Sequence, residues 1–371
     1  MDTRASTRLL PPPGYPVTSC HPRAPLTHRE LWTTRVRHDV IHSRRNVPLD
    51  RPPVPAHTAP VRDWSGEIEF IRMRSRRAGT PAFRRELRQG RFLRLCPEIA
   101  VPAVAFRALQ PWDQQAIRAF AVGLGSRTAV LVGKSAARLH GIPVLGNEEP
   151  TTVVLPGGGR PPVKQWPEGV RYRRASLPQE QVTEVHGVRV TRIIRTVVDI
   201  CRYHGLVDGI VAFDHVLTLK NMTRQRAAAL LDDLGRIRGL SVARRALELA
   251  DARAESPLES WARAQILVAD LPEVTSVEPQ VPVLGGRHRV DLMINGFQVV
   301  ETDGDLKYDG STGVAPAEQM RKDRERDRAL TNAGIPRLHV TYADLATVVE
   351  GESRFLRMLR ETLQAHARRT A

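Results

Sequence analysis

The spacing of apolar residues in 66–108 predicts a short helix followed by a strand hairpin. Thr80 and Pro81 place an N-cap hydroxyl before a proline in the first turn, which predicts a helix over 81–89 that ends at Gly90. The runs RFLRL and IAVPAV that follow read as the two short strands of a hairpin. A helix followed by a basic hairpin is typical of a winged-helix fold, so we expect a winged-helix-like region whose recognition helix is 81–89.

Residues 109–250 alternate between helical and strand-like patterns. QAIRAFAVGLG and SAARLHGI have helical spacing and end near glycines, whereas TTVVLP and GVRYRRA are strand-like. GVRVT leads into the helical run RIIRTVVDICRYHG, and three more amphipathic stretches follow. This pattern predicts a mixed α/β middle region. Its glycine run at 157–160 lacks the Lys-Ser/Thr of a phosphate-binding P-loop, so we interpret it as a turn.

Residues 252–371 carry a third pattern, in the order α-β-β-β-α-β-α. Ser256, Pro257 and Glu259 form a capping-box signature at the start of a helix. The runs VTSVEPQVPV, HRVDLMI and FQVVET predict three strands, and the Asn-Gly pair between the last two is a strong hairpin signal. A long polar helix ending at Gly334, the strand PRLHVTY and a final amphipathic helix complete the pattern. The fold class expected for the whole chain is therefore α/β, of the α+β kind.

Residues 1–65 show little periodicity and are rich in proline and arginine. Such a segment is typical of a disordered tail because it cannot bury enough apolar surface. A second interpretation is that it lies upstream of the true start of translation, since Met73 lies near the beginning of the patterned region. We assign no function to it.

The charge balance points toward a polyanionic partner. The chain has 56 Lys and Arg against 40 Asp and Glu, a net charge of +16, and such an excess attracts phosphates. Nine of the arginines crowd into the first patterned region: Arg72, Arg74, Arg76, Arg77, Arg84, Arg85, Arg88, Arg91 and Arg94. We expect the last five to contact DNA. Two alternatives remain open, a solvated charged helix and a GC-rich genome that raises the arginine content.

Cysteine usage and hydropathy exclude several other classes of protein. Cys20, Cys96 and Cys201 lie far apart and form no CxxC pair, which excludes a cysteine-rich zinc site and argues against a disulfide scaffold. No apolar run approaches the ~18 residues of a membrane span, and the N-terminus has no apolar signal segment. We therefore expect a cytoplasmic protein with no membrane contact.

Two acidic residues lie on neighbouring predicted strands of the C-terminal region. Asp291 is central in one strand and Glu301 is near the end of the next, so a hairpin would bring them together if both point to one face. Burying a carboxylate without a partner is costly, so an acidic residue in an apolar strand needs an explanation. A bound divalent cation is one such explanation. Mg²⁺ or Mn²⁺ takes oxygen ligands and stabilises the charge that develops in phosphodiester hydrolysis. Lys307 follows closely and could hold the attacking water or the phosphate.

The motifs of the C-terminal region resemble a known nuclease group. SPLES, RVDLMI, VVETDGDLKY and RERDRALTNAGIPRLHVTYADL resemble the very-short-patch-repair-like branch of the PD-(D/E)XK nuclease superfamily. Upstream, RFLRLCPEIAVP, GKSAARLHGI and VHGVRVTRIIRTVVDI resemble the AbiEi-type antitoxins. Together the resemblance covers about residues 70–365. It implies a winged-helix N-terminal part joined to a restriction-endonuclease-like domain.

The nuclease resemblance also implies roles for particular residues. Asp291 stands at the family's metal-binding aspartate and Glu301 at its second acid, while Glu259 matches an acid on the first helix. Asp303 and Gly304 match the family's Asp-Gly pair. The resemblance thus implies a catalytic set of Asp291, Glu301, Asp303 and Lys307, with Asp291, Glu301 and Glu259 as metal ligands.

The sequence departs from the nuclease pattern at one position that matters for catalysis. The superfamily's lysine stands two positions after the second acid, where this chain has Asp303. Lys307 falls where many relatives have histidine, and His339 falls where relatives often have arginine. Lys307 or Asp303 would have to replace the missing lysine.

Four of these residues also have an explanation that needs no metal. The capping box accounts fully for Glu259, and Asp291 could pair with Arg289 or with a lysine of the long helix. Asp303 with Gly304 could be only a turn, and Lys307 could be solvated.

These observations leave two main functions open. The first is a Mg²⁺-dependent DNA endonuclease. The second is a non-catalytic antitoxin-like regulator with a degenerate nuclease fold. The partners expected are DNA and a cognate toxin or a repair protein. A nucleic-acid-binding module without a regulatory role is a weaker third interpretation.

Overall fold

The first strands of the described chain form a small sheet with one helix against it. The computed structural model describes residues 61–146, 149–303 and 316–370. The elements are β1 (Ile71–Arg72), α1 (Pro81–Arg88), β2 (Phe92–Cys96) and β3 (Ile99–Pro102), and the strand order is β1-β3-β2. The hydroxyl of Thr80 accepts a hydrogen bond from the Phe83 backbone N–H at 3.2 Å, so the predicted cap is confirmed. The predicted helix is confirmed as Pro81–Arg88 and the hairpin as β2 with β3, but the last two residues of the predicted second strand, Ala103 and Val104, belong to a helix instead.

Packed residues also lie on the N-terminal side of the predicted boundary at residue 66. Trp64 is buried and packs with Ile68, Phe106 and Phe120 in one apolar cluster. Its large apolar side chain places residues just upstream of 66 in the core. The remainder of the predicted tail, residues 1–60, lies outside the described residues.

Two helices lead from this part into a five-stranded sheet. The helices are α2 (Ala103–Arg107) and α3 (Pro111–Gly125). Then follow β4 (Val130–Leu131), α4 (Lys134–Leu139), β5 (Thr151–Val154), β6 (Val170–Arg173), β7 (Val182–Val185) and β8 (Val188–Thr191), and the strand order is β6-β5-β4-β8-β7. The mixed parallel and antiparallel pairing confirms the expected mixed α/β region.

Four helices follow the sheet and build most of the central core. They are α5 (Ile193–His204), α6 (Leu206–Val216), α7 (Arg224–Asp232) and α8 (Leu240–Leu249). Apolar side chains of α5, α6 and α8 meet in the interior, among them the fully buried Phe213. Burial of such a face supplies most of a helix's stability in a globular protein.

The C-terminal part has the predicted order of main elements. It contains α9 (Pro257–Ala269), β9 (Val277–Val283), β10 (His288–Ile294), β11 (Gln298–Asp303), α10 (Pro316–Asn332) and β12 (Arg337–Thr341). A short helix α11 (Tyr342–Ala346) and the hairpin β13 (Val348–Val349) and β14 (Glu352–Ser353) precede the final helix α12 (Arg354–Thr370). The four-stranded sheet has the order β12-β11-β10-β9, with β11 and β12 parallel.

The C-terminal part shares its core with the helices before it. Phe213 of α6, Trp261 of α9 and Val300 of β11 belong to one buried cluster. Across the same boundary, one guanidinium nitrogen of Arg263 lies 2.8 and 2.9 Å from the two carboxylate oxygens of Asp214, and both side chains are buried. The pattern change near residue 251 is therefore not a break in the core.

Candidate nucleic-acid interface and acidic site

Helix α1 is held to the small sheet by a narrow apolar stripe. Phe83 is buried and Leu87 half-buried, and both pack with Ile71, Ala78 and Ala100. These positions are four apart, so they lie on one face of the helix. The stripe fixes α1 on β1 and β3 and leaves the rest of its circumference in solvent.

Three arginines occupy the solvent side of α1. Arg84, Arg85 and Arg88 are exposed. Within the described residues, none of the three has a hydrogen bond or an ion pair to another side chain. Each guanidinium therefore keeps its full set of N–H donors for a ligand. These donors form a planar fork that matches the spacing of phosphate oxygens.

The other predicted DNA-contacting arginines have partners inside the protein. Arg91 lies 3.7 Å from a carboxylate oxygen of Glu86, and Arg94 donates to the Pro97 carbonyl at 2.5 and 3.2 Å. Both side chains are nevertheless exposed on the hairpin side of α1. The structure thus divides the predicted five arginines into three unpaired ones on the helix and two anchored ones on the hairpin.

Asp291 lies where β9 and β10 lose their regular pairing. The register is continuous on both sides of Asp291, but Asp291 and Gln280 do not pair, and Gln280 has a left-handed φ of 57°. One carboxylate oxygen of Asp291 accepts from the backbone N–H of Thr302 at 2.8 Å and from its hydroxyl at 3.0 Å. Neither Arg289 nor any other described cation pairs with this carboxylate.

Glu259 lies close enough to Asp291 to feel its charge. The side chain is 6% exposed, and one carboxylate oxygen accepts from the Glu255 backbone N–H at 3.0 Å and from the Gln280 amide at 2.6 Å. Burial, followed by the negative charge of Asp291, raises the pKa of Glu259 to about 7. The predicted capping box is present in modified form, because Ser256 accepts from the Glu259 N–H while the Glu259 carboxylate reaches Glu255.

Glu301 faces a different neighbour. It is 7% exposed, and one guanidinium nitrogen of Arg326 on α10 lies 2.7 and 2.8 Å from its two carboxylate oxygens. The same nitrogen donates to the Arg289 carbonyl at 2.6 Å. Consecutive side chains of a strand point to opposite faces, so Glu301 and the Thr302 hydroxyl that binds Asp291 lie on opposite sides of β11. The structure therefore brings Glu259 to Asp291 and keeps Glu301 apart from that pair.

Asp303 and Lys307 complete the predicted catalytic set. Asp303 is exposed at the end of β11, and its carboxylate lies 3.3 Å from the Nδ1 atom of His339, which raises the pKa of His339. Lys307 and Gly304 lie outside the described residues. In the described part of the chain, no group of three or more His, Cys, Asp or Glu side chains is placed to hold a metal ion.

Three contacts of the acidic site were not foreseen from the sequence. Arg326 sits in a helix that is charged on all sides, so no periodicity distinguishes it from its neighbours. Gln280 and Thr302 are ordinary polar residues of strands, and their contacts follow from strand pairing. Only the irregular VEPQVPV run, with two prolines in one strand, signals that β9 is distorted.

None of the described helices combines the length and apolar composition needed to cross a bilayer.

One sequence comparison bears on the middle of the chain. No curated protein and no solved structure matches the chain. Residues 128–252, from just before β4 to the loop that precedes α9, match the family model of the AbiEi antitoxin C-terminal domain.

Proposed function

We propose that the protein is a DNA-binding regulator of the antitoxin type, with α1 as its DNA-contacting helix. The observation that carries this proposal is the trio Arg84, Arg85 and Arg88, exposed on one short helix, whose side chains have no hydrogen-bond or ion-pair partner among the described residues. The AbiEi antitoxin match over 128–252 supports the regulatory part and suggests a cognate toxin as a second partner. The net charge of +16 supports a polyanionic ligand.

The arrangement around α1 suits a major-groove contact. In winged-helix proteins a helix enters the groove and the hairpin after it touches the neighbouring backbone. Here α1 would place its arginines against phosphates and guanine edges, and the β2–β3 hairpin would bring Arg91 and Arg94 to the adjacent strand. Phosphate contacts fix the register, whereas bidentate contacts from arginine to guanine supply sequence selectivity.

A binding comparison tests this proposal. Fluorescence anisotropy would measure the affinity of the full chain for labelled duplex DNA from upstream of its own gene and for a random duplex. The test variant carries Arg84→Ala, Arg85→Ala and Arg88→Ala. The control carries Arg244→Ala, Arg245→Ala and Arg253→Ala, which remove the same charge at exposed, ion-paired arginines away from α1. We expect the test variant to lose affinity by a factor of about 100 or more and the control to lose far less.

Two outcomes would refute the assignment of α1. Equal losses in the test variant and the control would show that net charge alone drives binding. Unchanged affinity in the test variant would show that DNA binds elsewhere. Circular dichroism of both variants would confirm that they are folded.

A Mg²⁺-dependent endonuclease is the second candidate, and the Glu259–Asp291 pair favours it. Two carboxylates this close, with the pKa of Glu259 raised to about 7, are typical of sites that accept a proton or a cation. The described residues do not fit a three-carboxylate metal site, because Glu301 is bound by Arg326.

A plasmid-nicking assay with Mg²⁺ or Mn²⁺ tests the second candidate. The wild type would be compared with Asp291→Ala and with Asp303→Ala. Metal-dependent nicking that is lost in Asp291→Ala would establish the endonuclease. No nicking by a protein that binds duplex DNA would leave the regulator as the function, and nicking that is undiminished in Asp291→Ala would remove Asp291 from the site.

A further inference from the structure

An arginine-lined cavity of about 650 Å³ lies in the middle region, away from both sites above. Its walls come from the segment after β6, from the turn after β5, from α5 and from the loop between α7 and α8. Five arginines line it: Arg174, Arg195, Arg202, Arg236 and Arg238. Among the described residues that form its lining there is no Asp or Glu.

Arg195 is the structural member of this group. It is 2% exposed, and its guanidinium bonds to the Asp199 carboxylate, the Gln181 side chain and the Ser176 carbonyl. Asp199 therefore compensates its charge. The bond to Ser176 holds the segment after β6 against α5, and that segment carries Arg174.

The other four arginines form no ion pair with a described residue. Arg174, Arg236 and Arg238 are exposed, and Arg202 is half-buried with its guanidinium 5.0 Å from the Tyr203 ring centre. Arg202 feels the charge of Asp199, which already pairs with Arg195, but no side-chain hydrogen bond joins any of these four to another described residue. Holding several cations around one concavity costs electrostatic free energy unless an anion enters.

Two close backbone approaches hold the walls in place. Gly239 lies so near α5 that a Cβ atom there would stand 2.6 Å from the Cβ of Arg202, which presses the loop carrying Arg236 and Arg238 onto the helix. Gly158 packs on the segment after β6, where an added Cβ would lie 3.4 Å from the Ala175 carbonyl oxygen. Both glycines have left-handed φ angles, of 92° and 71°. The cavity is thus a built feature of the fold.

We propose that this cavity binds a small polyphosphate, namely the adjacent phosphates of a nucleoside di- or triphosphate. Its volume falls within the roughly 300–1,000 Å³ of small-molecule sites. Arginine forks bind phosphate oxygens in bidentate fashion, and four forks facing one hollow match several phosphates on one small ligand. Duplex DNA spreads its charges along an axis, one per about 1.7 Å, and is matched by cations distributed along that axis. The convergent arrangement therefore favours the small ligand.

Isothermal titration calorimetry of the full chain tests the proposal at fixed ionic strength and without metal. The probes are inorganic tripolyphosphate, ATP, GTP and adenosine. The test variant is Arg236→Ala with Arg238→Ala, and the control is Arg244→Ala with Arg245→Ala, the same charge change on exposed arginines outside the cavity. Thermal unfolding verifies that both variants are as stable as the wild type.

We expect tripolyphosphate or the nucleotides to bind the wild type and the control, and to bind the test variant at least about tenfold more weakly. Adenosine should not bind. Equal affinity for tripolyphosphate and a nucleotide would show that the cavity binds the phosphates alone. Tighter binding of the nucleotide would show that the nucleoside adds its own contacts. Both results support the proposal.

Three results would overturn it. They are no polyphosphate binding by the wild type, equal binding by wild type and test variant, and loss of duplex-DNA affinity in the test variant without any polyphosphate binding. The last would make the cavity part of a DNA surface. None of these results depends on Arg84, Arg85 and Arg88, so the test stands apart from that of the DNA-contacting helix.

Discussion

One guanidinium nitrogen of Arg326 lies 2.7 and 2.8 Å from the two carboxylate oxygens of Glu301. The Glu301 side chain is 9% exposed and that of Arg326 is 27% exposed, so the pair is largely removed from water. This contact joins α10 to β11. It also occupies the carboxylate that the nuclease resemblance assigns to a metal ion.

Replacing Arg326 should destabilise the protein because it removes the guanidinium that binds both carboxylate oxygens of the buried Glu301. We expect Arg326→Ala to lower the free energy of unfolding by about 1–3 kcal/mol. This loss is smaller than that expected for breaking a fully buried pair, because Arg326 is partly exposed to solvent. Urea denaturation at neutral pH measures this. Arg328→Ala, an exposed arginine of the same helix, is the control and should change stability little. Equal effects of the two substitutions would contradict the role given to the Glu301–Arg326 pair.

The raised pKa of Glu259 predicts a specific pH dependence of stability. The pKa is about 7 in the folded protein against an ordinary value of 4.5, so between these values the folded state holds a proton that the unfolded state has released. The free energy of unfolding contributed by Glu259 therefore falls as pH rises toward 7, by about 3 kcal/mol in total. Glu259→Gln cannot titrate and should lose this slope.

Urea denaturation of wild type and Glu259→Gln from pH 5 to pH 8 measures the difference. The stability of the variant relative to wild type should increase with pH across this range. Glu361→Gln, at an exposed position of α12, serves as the control and should follow the wild type. Parallel curves for wild type and Glu259→Gln would show that Glu259 ionises as an ordinary carboxyl group.

Removing one partner of the buried Asp214–Arg263 pair should be among the most destabilising single changes. The two side chains are 0% and 5% exposed, and Arg263 also donates to the Leu249 carbonyl at 2.8 Å. Arg263→Ala leaves a buried aspartate without its cation, and we expect a loss of about 3–5 kcal/mol. Arg253→Ala removes an exposed arginine nearby and should cost far less. A loss below about 1 kcal/mol in Arg263→Ala, measured by urea denaturation, would be incompatible with this interpretation.

The shared core also predicts that residues 61–252 do not fold stably alone. Ending the chain at residue 252 removes Trp261 and Val300 from the cluster that holds Phe213, and it leaves Asp214 without Arg263. We expect the shortened chain to lack a cooperative thermal transition in circular dichroism. A cooperative transition near that of the full chain would show that the AbiEi-matching segment is an independent domain.

Most elements of the fold could be predicted from the sequence because their signals are local. The Thr80 cap, the Asn-Gly turn and the strand-like runs of the C-terminal part each act over a few residues, and all three appear as expected. The shared core of α6, α9 and β11 could not be predicted, because it depends on contacts between residues far apart in sequence. The apolar faces of those helices indicate burial but do not identify the partner.

The candidate site was only partly predictable for the same reason. The strand pattern identified Asp291 and Glu301 as unusual acids, the nuclease resemblance added Glu259, and the structure brings Glu259 to Asp291. The sequence pattern could not reveal that Arg326 binds Glu301, since an arginine within RERDR has no distinguishing neighbours. The cavity arginines come from three separate segments of the chain, so only the folded structure places them together.

The salt dependence of DNA binding tests the central claim most directly. Fluorescence anisotropy over a range of salt concentrations gives the slope of log affinity against log salt for the wild type and for the variant with Arg84, Arg85 and Arg88 changed to alanine. If the three arginines bind phosphates, the slope should become shallower by roughly 2–3 in the variant, because fewer counterions are released. Identical slopes and affinities for the two proteins would contradict the assignment of α1 as the DNA-contacting helix.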